Sequence, residues 1–189
     1  MKRIAIFASG QGTNAENIAR FFHDSDIATV SLIVTNKKDA GVVEKAHKLG
    51  IRCIVVSPKE LSADTFMETL KTQKISFIVL AGFLKQLPAR LLEAYDRAVI
   101  NVHPSLLPDY GGAGMYGMHV HRAVVENEDE ESGISIHYVS EGYDEGEIVF
   151  QESVEIDFED TPEDVQYKVQ QLEYKHYPEV IEYLLRDLD

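Results

Sequence analysis

The sequence predicts an α/β protein with a mostly parallel, Rossmann-like twisted sheet, helices on both faces and antiparallel strands near the C-terminal end. Three observations predict it. Over the first hundred residues, short apolar β-rich runs alternate with stretches of helical spacing. Those runs are continuously apolar, as strands buried on both faces are. After residue 130, two strand-like runs are joined by a short connection, whereas a parallel crossover takes about a dozen residues or more.

The strands expected in order are Ile4–Ser9, Thr29–Thr35, Arg52–Val56, Phe77–Ala81 and Ala98–Val102. Helices are expected between them, over residues 14–23, 39–49, 62–73 and 88–95, where Val42, Val43, Ala46 and Leu49, then Phe66, Met67 and Leu70, recur at helical spacing. Gly50 suits a helix end and Pro88 a helix start. Ser132–Val139 alternates, with Ile134, Ile136 and Tyr138 on one face, and Ile148–Ile156 follows a connection rich in Gly and acid. Thr161-Pro162-Glu163-Asp164 opens the last helix with an N-cap, a first-turn proline and a capping-box acid. Val165, Val169 and Leu172 mark its buried stripe, and Pro178 is expected to kink or restart it.

The 189 residues suit one domain, residues 1–189, and the sequence shows no repeat or linker that would mark a second. At 44% hydrophobic and 26% charged, the composition excludes general disorder. A net charge of −14 argues against generic binding to nucleic acid or an anionic membrane, and the acids at 128–131 and 155–164 read as a solvated face. The opening MKRIAIFASG is too short in its apolar part for a signal peptide or a membrane span, so a cytoplasmic protein is expected. The single cysteine, Cys53, reads as a packed thiol.

In such sheets, ligands bind beyond the carboxyl ends of the strands. The first strand runs into Ser9-Gly10-Gln11-Gly12-Thr13-Asn14 and then a helix. Converging N–H groups at a helix N-terminus suit a phosphate, and a tight turn without a ligand is the alternative. Gly10, Gly12 and Ala15 also fit a dinucleotide fingerprint, but the second strand ends in Thr35-Asn36, without the acid that would hold a ribose. The fifth strand delivers Asn101-Val102-His103-Pro104-Ser105-Leu106-Leu107-Pro108. Alternation sets Asn101 and His103 on one side, where an amide and an imidazole serve an oxyanion and a proton, or merely cap a turn. If the loop Gly142–Gly146 folds over that edge, Asp144 orients His103; otherwise it is a solvated acid. His119 and His121 face different directions on a helix and make a poor metal pair, so no metal is expected. Ser105 and Ser135 lack the elbow of a hydrolase nucleophile.

Together these motifs resemble the phosphoribosylglycinamide formyltransferase family over nearly the whole chain. The resemblance implies the formyltransferase fold and a phosphate loop at 9–14, with Gly12, Thr13 and Asn14 on the phosphate of glycinamide ribonucleotide. It implies a folate pocket at 81–88 and 139–144 that binds 10-formyltetrahydrofolate as co-substrate, with Leu84, Lys85, Gln86, Leu87, Asn101, His137 and Val139 as contacts. NVHPSLLP at 101–108 resembles the family's catalytic segment, making Asn101, His103 and Asp144 the catalytic residues. Ser135 and Glu173 take substrate-binding roles. The implied partners are these small molecules, with no nucleic acid or membrane.

The resemblance has two departures. Gly111–Gly117 is longer than the family's usual turn and reads as a mobile flap beside the nucleotide. Ala63 stands about where some members carry a folate-contacting arginine. The 101–108 signature is shared with methionyl-tRNA formyltransferase and formyltetrahydrofolate hydrolase. A non-catalytic nucleotide-binding module and, less favoured, a nicotinamide oxidoreductase are alternatives from other classes.

Overall fold

Seven strands, ordered β3-β2-β1-β4-β5-β6-β7, form one sheet in the computed structural model, which describes residues 1–188. The strands are β1 Lys2–Phe7, β2 Ala28–Thr35, β3 Arg52–Val55, β4 Phe77–Leu80, β5 Val99–His103, β6 Glu131–Tyr138 and β7 Ile148–Glu155. The helices are α1 Thr13–Phe21, α2 Gly41–Lys48, α3 Pro58–Leu61, α4 Asp64–Thr72, α5 Ala89–Ala94, α6 Met118–Glu126 and α7 Pro162–Asp187. Contacts gather in two units: Met1–Ile100 with the residues from Pro178 on, and Asn101–Tyr177.

In the first unit β1 pairs in parallel with β2 and β4, and β2 with β3. Ile4, Ile6, Phe7, Leu32, Ile33, Phe77 and Ile78 are fully buried. Both faces of these strands are therefore covered, which is why they read as continuous apolar runs. Phe7 meets Phe66 and Phe83 edge-on, with ring centres 6.1 and 5.4 Å apart. The helix expected over 62–73 is preceded by a separate turn of helix, α3, because Ser57 and Glu60 close a reciprocal cap. Pro88 is the N-cap of α5 and not its first residue. Cys53 is half-buried, and desolvation pushes its thiol pKa up.

In the second unit β6 and β7 are antiparallel, with a register shift between Ile136 and His137. A bulge re-aims the side chain beside it, and here that side chain is His137. A Cβ on Gly146 would lie 1.7 Å from the Tyr138 carbonyl oxygen, so only glycine allows the turn to close this tightly. α6 has no counterpart among the expected elements. Thr161 and Asp164 cap α7 reciprocally, as the sequence predicts: Thr161 N–H donates to Asp164 at 2.9 Å and Asp164 N–H returns at 3.2 Å. Val165 and Val169 are fully buried, and Leu172 is half-buried. α7 does not restart at Pro178: the helix runs without a break through that residue. Among the described residues no helix is long and apolar enough to cross a membrane.

Candidate active site

β5 ends at His103, and its alternation carries Asn101 and His103 toward the same neighbours. Asn101 Nδ2 lies 3.2 Å from His137 Nε2. His103 Nδ1 lies 3.4 Å from Asp144 Oδ2, and His137 Nε2 lies 3.5 Å from Asp144 Oδ1. An amide, two imidazoles and a carboxylate from three chain segments thus converge in the second unit. His103 and His137 are buried, and the Asp144 side chain is 12% exposed.

The partners constrain the protons. His103 Nε2 lies 2.8 Å from the carbonyl oxygen of Tyr110, which can only accept. The carboxylate facing Nδ1 also only accepts, so the ring that satisfies both neighbours carries a proton on each nitrogen. His137 Nδ1 lies 2.9 Å from the Tyr138 carbonyl and donates to it. His137 Nε2 then accepts from the Asn101 amide in the neutral ring, or donates to Asp144 in the charged one. Burial is the largest single influence on the Asp144 carboxyl and pushes its pKa up. Hydrogen bonds with His103 and His137, the charge of His103 and the Gly112 N–H together outweigh burial, holding the pKa well below the usual carboxylate range. Gly112 N–H reaches Asp144 Oδ2 at 3.0 Å.

Ser135 is also in this unit, with another employment than the substrate contact expected for it. Its hydroxyl donates to the Ser105 carbonyl at 2.7 Å and accepts from Leu107 N–H and from Gln151 Nε2, each at 2.8 Å. One donor and two lone pairs are thereby used, leaving no capacity for a substrate. Gln151 also donates to the Leu107 carbonyl at 2.9 Å. The pair pins the chain that leaves β5. Val139 follows β6 half-buried, and Glu173 is half-buried on α7. His119 is exposed and His121 buried on α6, so they do face apart.

The first unit holds the phosphate-loop candidate. Gly12 is the N-cap of α1 at φ 72°, and a Cβ there would lie 2.5 Å from Val42 Cγ2. Both the left-handed backbone and the approach to α2 demand glycine. Ser9 ties the loop in place: its hydroxyl donates to Asn36 Oδ1 at 2.6 Å and accepts from Leu84 N–H at 2.9 Å. Asn36, where a dinucleotide fold would set an acid, thus serves this structural tie. Thr13 is exposed and Asn14 half-buried. In the folate segment Leu84, Lys85 and Gln86 are exposed, but Leu87 is 5% exposed and packs in the core. Asp64, next to Ala63, pairs with Arg90.

Sequence reasoning missed Tyr110 and Gln151, and placed Gly112 only within a flap beside the nucleotide and not on Asp144. Tyr110 and Gly112 act through a backbone carbonyl and a backbone N–H, so side-chain chemistry gives no signal for them. Among the described residues no group of three or more His, Cys, Asp or Glu side chains is arranged to hold a metal ion.

An amide and an imidazole at a strand end, steadied by a buried carboxylate, are equipment for stabilising an oxyanion and managing a proton. That equipment on an α/β sheet suits chemistry at a carbonyl carbon. Residues 2–181 match the model of the formyl transferase family, and the chain belongs to that family. It is 37% identical over 191 residues to the phosphoribosylglycinamide formyltransferase of Bacillus subtilis, covering 98% of this chain and 95% of that protein. It is 40% identical over 188 residues to the chloroplastic enzyme of that name from Arabidopsis thaliana, covering 95% of this chain. The chain spans less than two thirds of the plant relatives' lengths, 64% for Arabidopsis thaliana and 62% for Vigna unguiculata. The crystal structure of phosphoribosylglycinamide formyltransferase from Bacillus halodurans superposes with a TM-score of 0.86 at 37% identity, covering 97% of this chain and 95% of that one.

Proposed function

We propose that this protein transfers the formyl group of 10-formyltetrahydrofolate to the amine of 5-phosphoribosylglycinamide, yielding formylglycinamide ribonucleotide and tetrahydrofolate in purine synthesis. The observation that carries the reading is the convergence of Asn101, His103, His137 and Asp144 in a chain of the formyl transferase family. The donor set fits the co-substrate's reactive end, because attack on a formyl carbon builds negative charge on its oxygen.

10-Formyltetrahydrofolate supplies the formyl group. Asn101 donates an amide N–H to the developing oxyanion. His103 offers Nε2–H, which an oxyanion draws away from the neutral Tyr110 carbonyl because a charged acceptor forms the stronger bond. Asp144 keeps the His103 ring charged and oriented, and with the imidazoles it passes the proton lost by the amine to the folate nitrogen, which leaves as tetrahydrofolate when its bond to the formyl carbon breaks. Gly12, Thr13 and Asn14 at the start of α1 hold the substrate phosphate by N–H donation and the helix dipole. Glu173 meets the nucleotide, while Leu84, Lys85, Gln86, His137 and Val139 contact the folate. Leu87 supports that segment from the core. The protein acts on small molecules in the cytoplasm.

The test is to mix the protein with glycinamide ribonucleotide and formyl-folate and follow folate product by absorbance. Acceptor-dependent product is expected. Folate release without acceptor would favour a hydrolase, and binding without product would favour a non-catalytic nucleotide-binding module; either outcome overturns the reading.

A further inference from the structure

Tyr110 touches the site through its backbone and the rest of the second unit through its side chain. Its hydroxyl donates to the Asp129 carboxylate and accepts from Asn127 Nδ2 at 2.6 Å. Asn127 is the C-cap of α6, and Asp129 N–H returns to the Val124 carbonyl at 3.2 Å, so the ring is moored to the final turn of that helix. Burial, then the acceptor Asp129, push the Tyr110 hydroxyl pKa up, which keeps it a proton donor.

The backbone at Tyr110 sits at φ 53°, in the left-handed region where a residue with a Cβ is disfavoured by about 1–2 kcal/mol. In that conformation its carbonyl faces His103 Nε2 at 2.8 Å, and two residues on, Gly112 N–H faces Asp144 Oδ2 at 3.0 Å. One short stretch of backbone therefore holds both members of the imidazole–carboxylate pair. A moored side chain explains why a tyrosine is tolerated where glycine or asparagine is usual.

We propose that Tyr110 is a positioning residue for the reaction: anchored to Asn127 and Asp129, it presents its carbonyl to His103 Nε2 and so keeps Nδ1 of that ring on Asp144. The inference deepens the formyl-transfer reading and rests on it. The carbonyl sets the ring's resting orientation, from which a small turn delivers Nε2–H to the oxyanion. Without the mooring the ring samples other rotamers, and Nδ1 loses the carboxylate for part of the time.

The experiment compares Tyr110→Phe and Asp129→Asn with the wild-type chain in the formyl-transfer assay and by nitrogen-15 NMR of the histidine rings. Displacing a reacting group slightly costs on the order of ten- to a hundredfold in rate, so kcat of Tyr110→Phe is expected to fall about that far. KM for both substrates should change by less than about threefold, because neither side chain is assigned to substrate binding. The His103 Nε2 proton, 2.8 Å from the Tyr110 carbonyl, is expected to exchange slowly in wild type and faster in the variant. Wild-type kcat and exchange in Tyr110→Phe would overturn the proposal, as would a changed melting temperature alone. If Tyr110→Phe does not fold, Asp129→Asn decides by the same readouts. Wild-type protein without turnover but with a protected Nε2 proton would sink the function and leave the positioning contact intact.

Discussion

Oδ2 of Asp144 stands 3.4 Å from Nδ1 of His103, on a loop residue whose own backbone is held at φ 57°. The same oxygen accepts from Gly112 N–H, while its twin faces His137. Carboxylates that receive several donors stay ionised even when buried, and the downward pKa shift of Asp144 follows from that count. A left-handed aspartate costs free energy in the loop, and that backbone sets the carboxylate beside two imidazoles, which links the strain to the proposed role of Asp144.

Asp144→Asn tests that link. The amide keeps the shape and removes the charge, so His103 loses the partner that favours its protonated form. We expect kcat to fall by about a hundredfold or more, the scale of a lost preorganised electrostatic contact. The stability consequence has a definite sign. A carboxyl whose folded pKa is depressed contributes stability above its unfolded pKa of about 3.9, and that contribution is lost as pH falls through the folded value. Wild type should therefore exceed the variant in urea stability near neutrality, and the gap should close in acid. A constant gap across that range would contradict the assignment.

Asn101→Ala and His103→Ala remove the two proposed oxyanion donors. Each should fold and lose about 10²–10³ in kcat, with little change in melting temperature. Because the two groups act on one oxygen, the double variant should lose less than the product of the single losses. Full multiplicativity, or near-wild-type turnover in either single variant, would refute the shared role.

Ser135 is predicted to matter for folding and turn geometry. Ser135→Ala strands the Leu107 N–H and removes one partner of Gln151, costing about 1–3 kcal/mol for a buried donor left unpaired. Gln151→Ala should cost less, since the Ser135 hydroxyl keeps its two backbone bonds. Chemical denaturation of both variants checks the order, and KM for the ribonucleotide should stay near wild type. A selective rise in KM with unchanged stability would return Ser135 to substrate binding.

The strands were legible because a sheet covered on both faces demands uninterrupted apolar runs, and Ile4–Phe7 or Phe77–Leu80 can satisfy little else. Their ends were less so: β1 begins at Lys2 because pairing with Ala28 uses backbone groups, which charged side chains do not prevent. α6 was hidden because Val120, His121 and Val124, its buried positions, follow a glycine-rich stretch and offer only one apolar pair at helical spacing. At the site, Asn101 and His103 could be paired from strand alternation. The arrival of Asp144 could not, since it depends on a hairpin whose closure is set by Gly146 against the Tyr138 carbonyl. The tie between Ser9, Asn36 and Leu84 was likewise out of reach, because it joins the ends of three strands far apart along the chain.

His121 carries a prediction of its own. Its side chain is 2% exposed and its Nδ1 is buried without a hydrogen-bond partner. Desolvation, and secondarily the charge of His103, push its pKa down to about 4. Between that value and an unfolded pKa of about 6.5, the unfolded chain holds a proton that the folded chain does not. Stability is therefore fully present above about pH 6.5 and is lost as pH falls toward 4, by up to about 1.4 kcal/mol per pH unit for this one group. His121→Leu removes both the titration and the unsatisfied nitrogen, so its stability curve should be flatter than that of wild type across this window. Urea unfolding of the two proteins at intervals from neutral pH to about pH 4 measures the difference in slope. Parallel curves would mean that His121 binds its proton equally in both states and is less enclosed in solution than its place on the buried face of α6 implies.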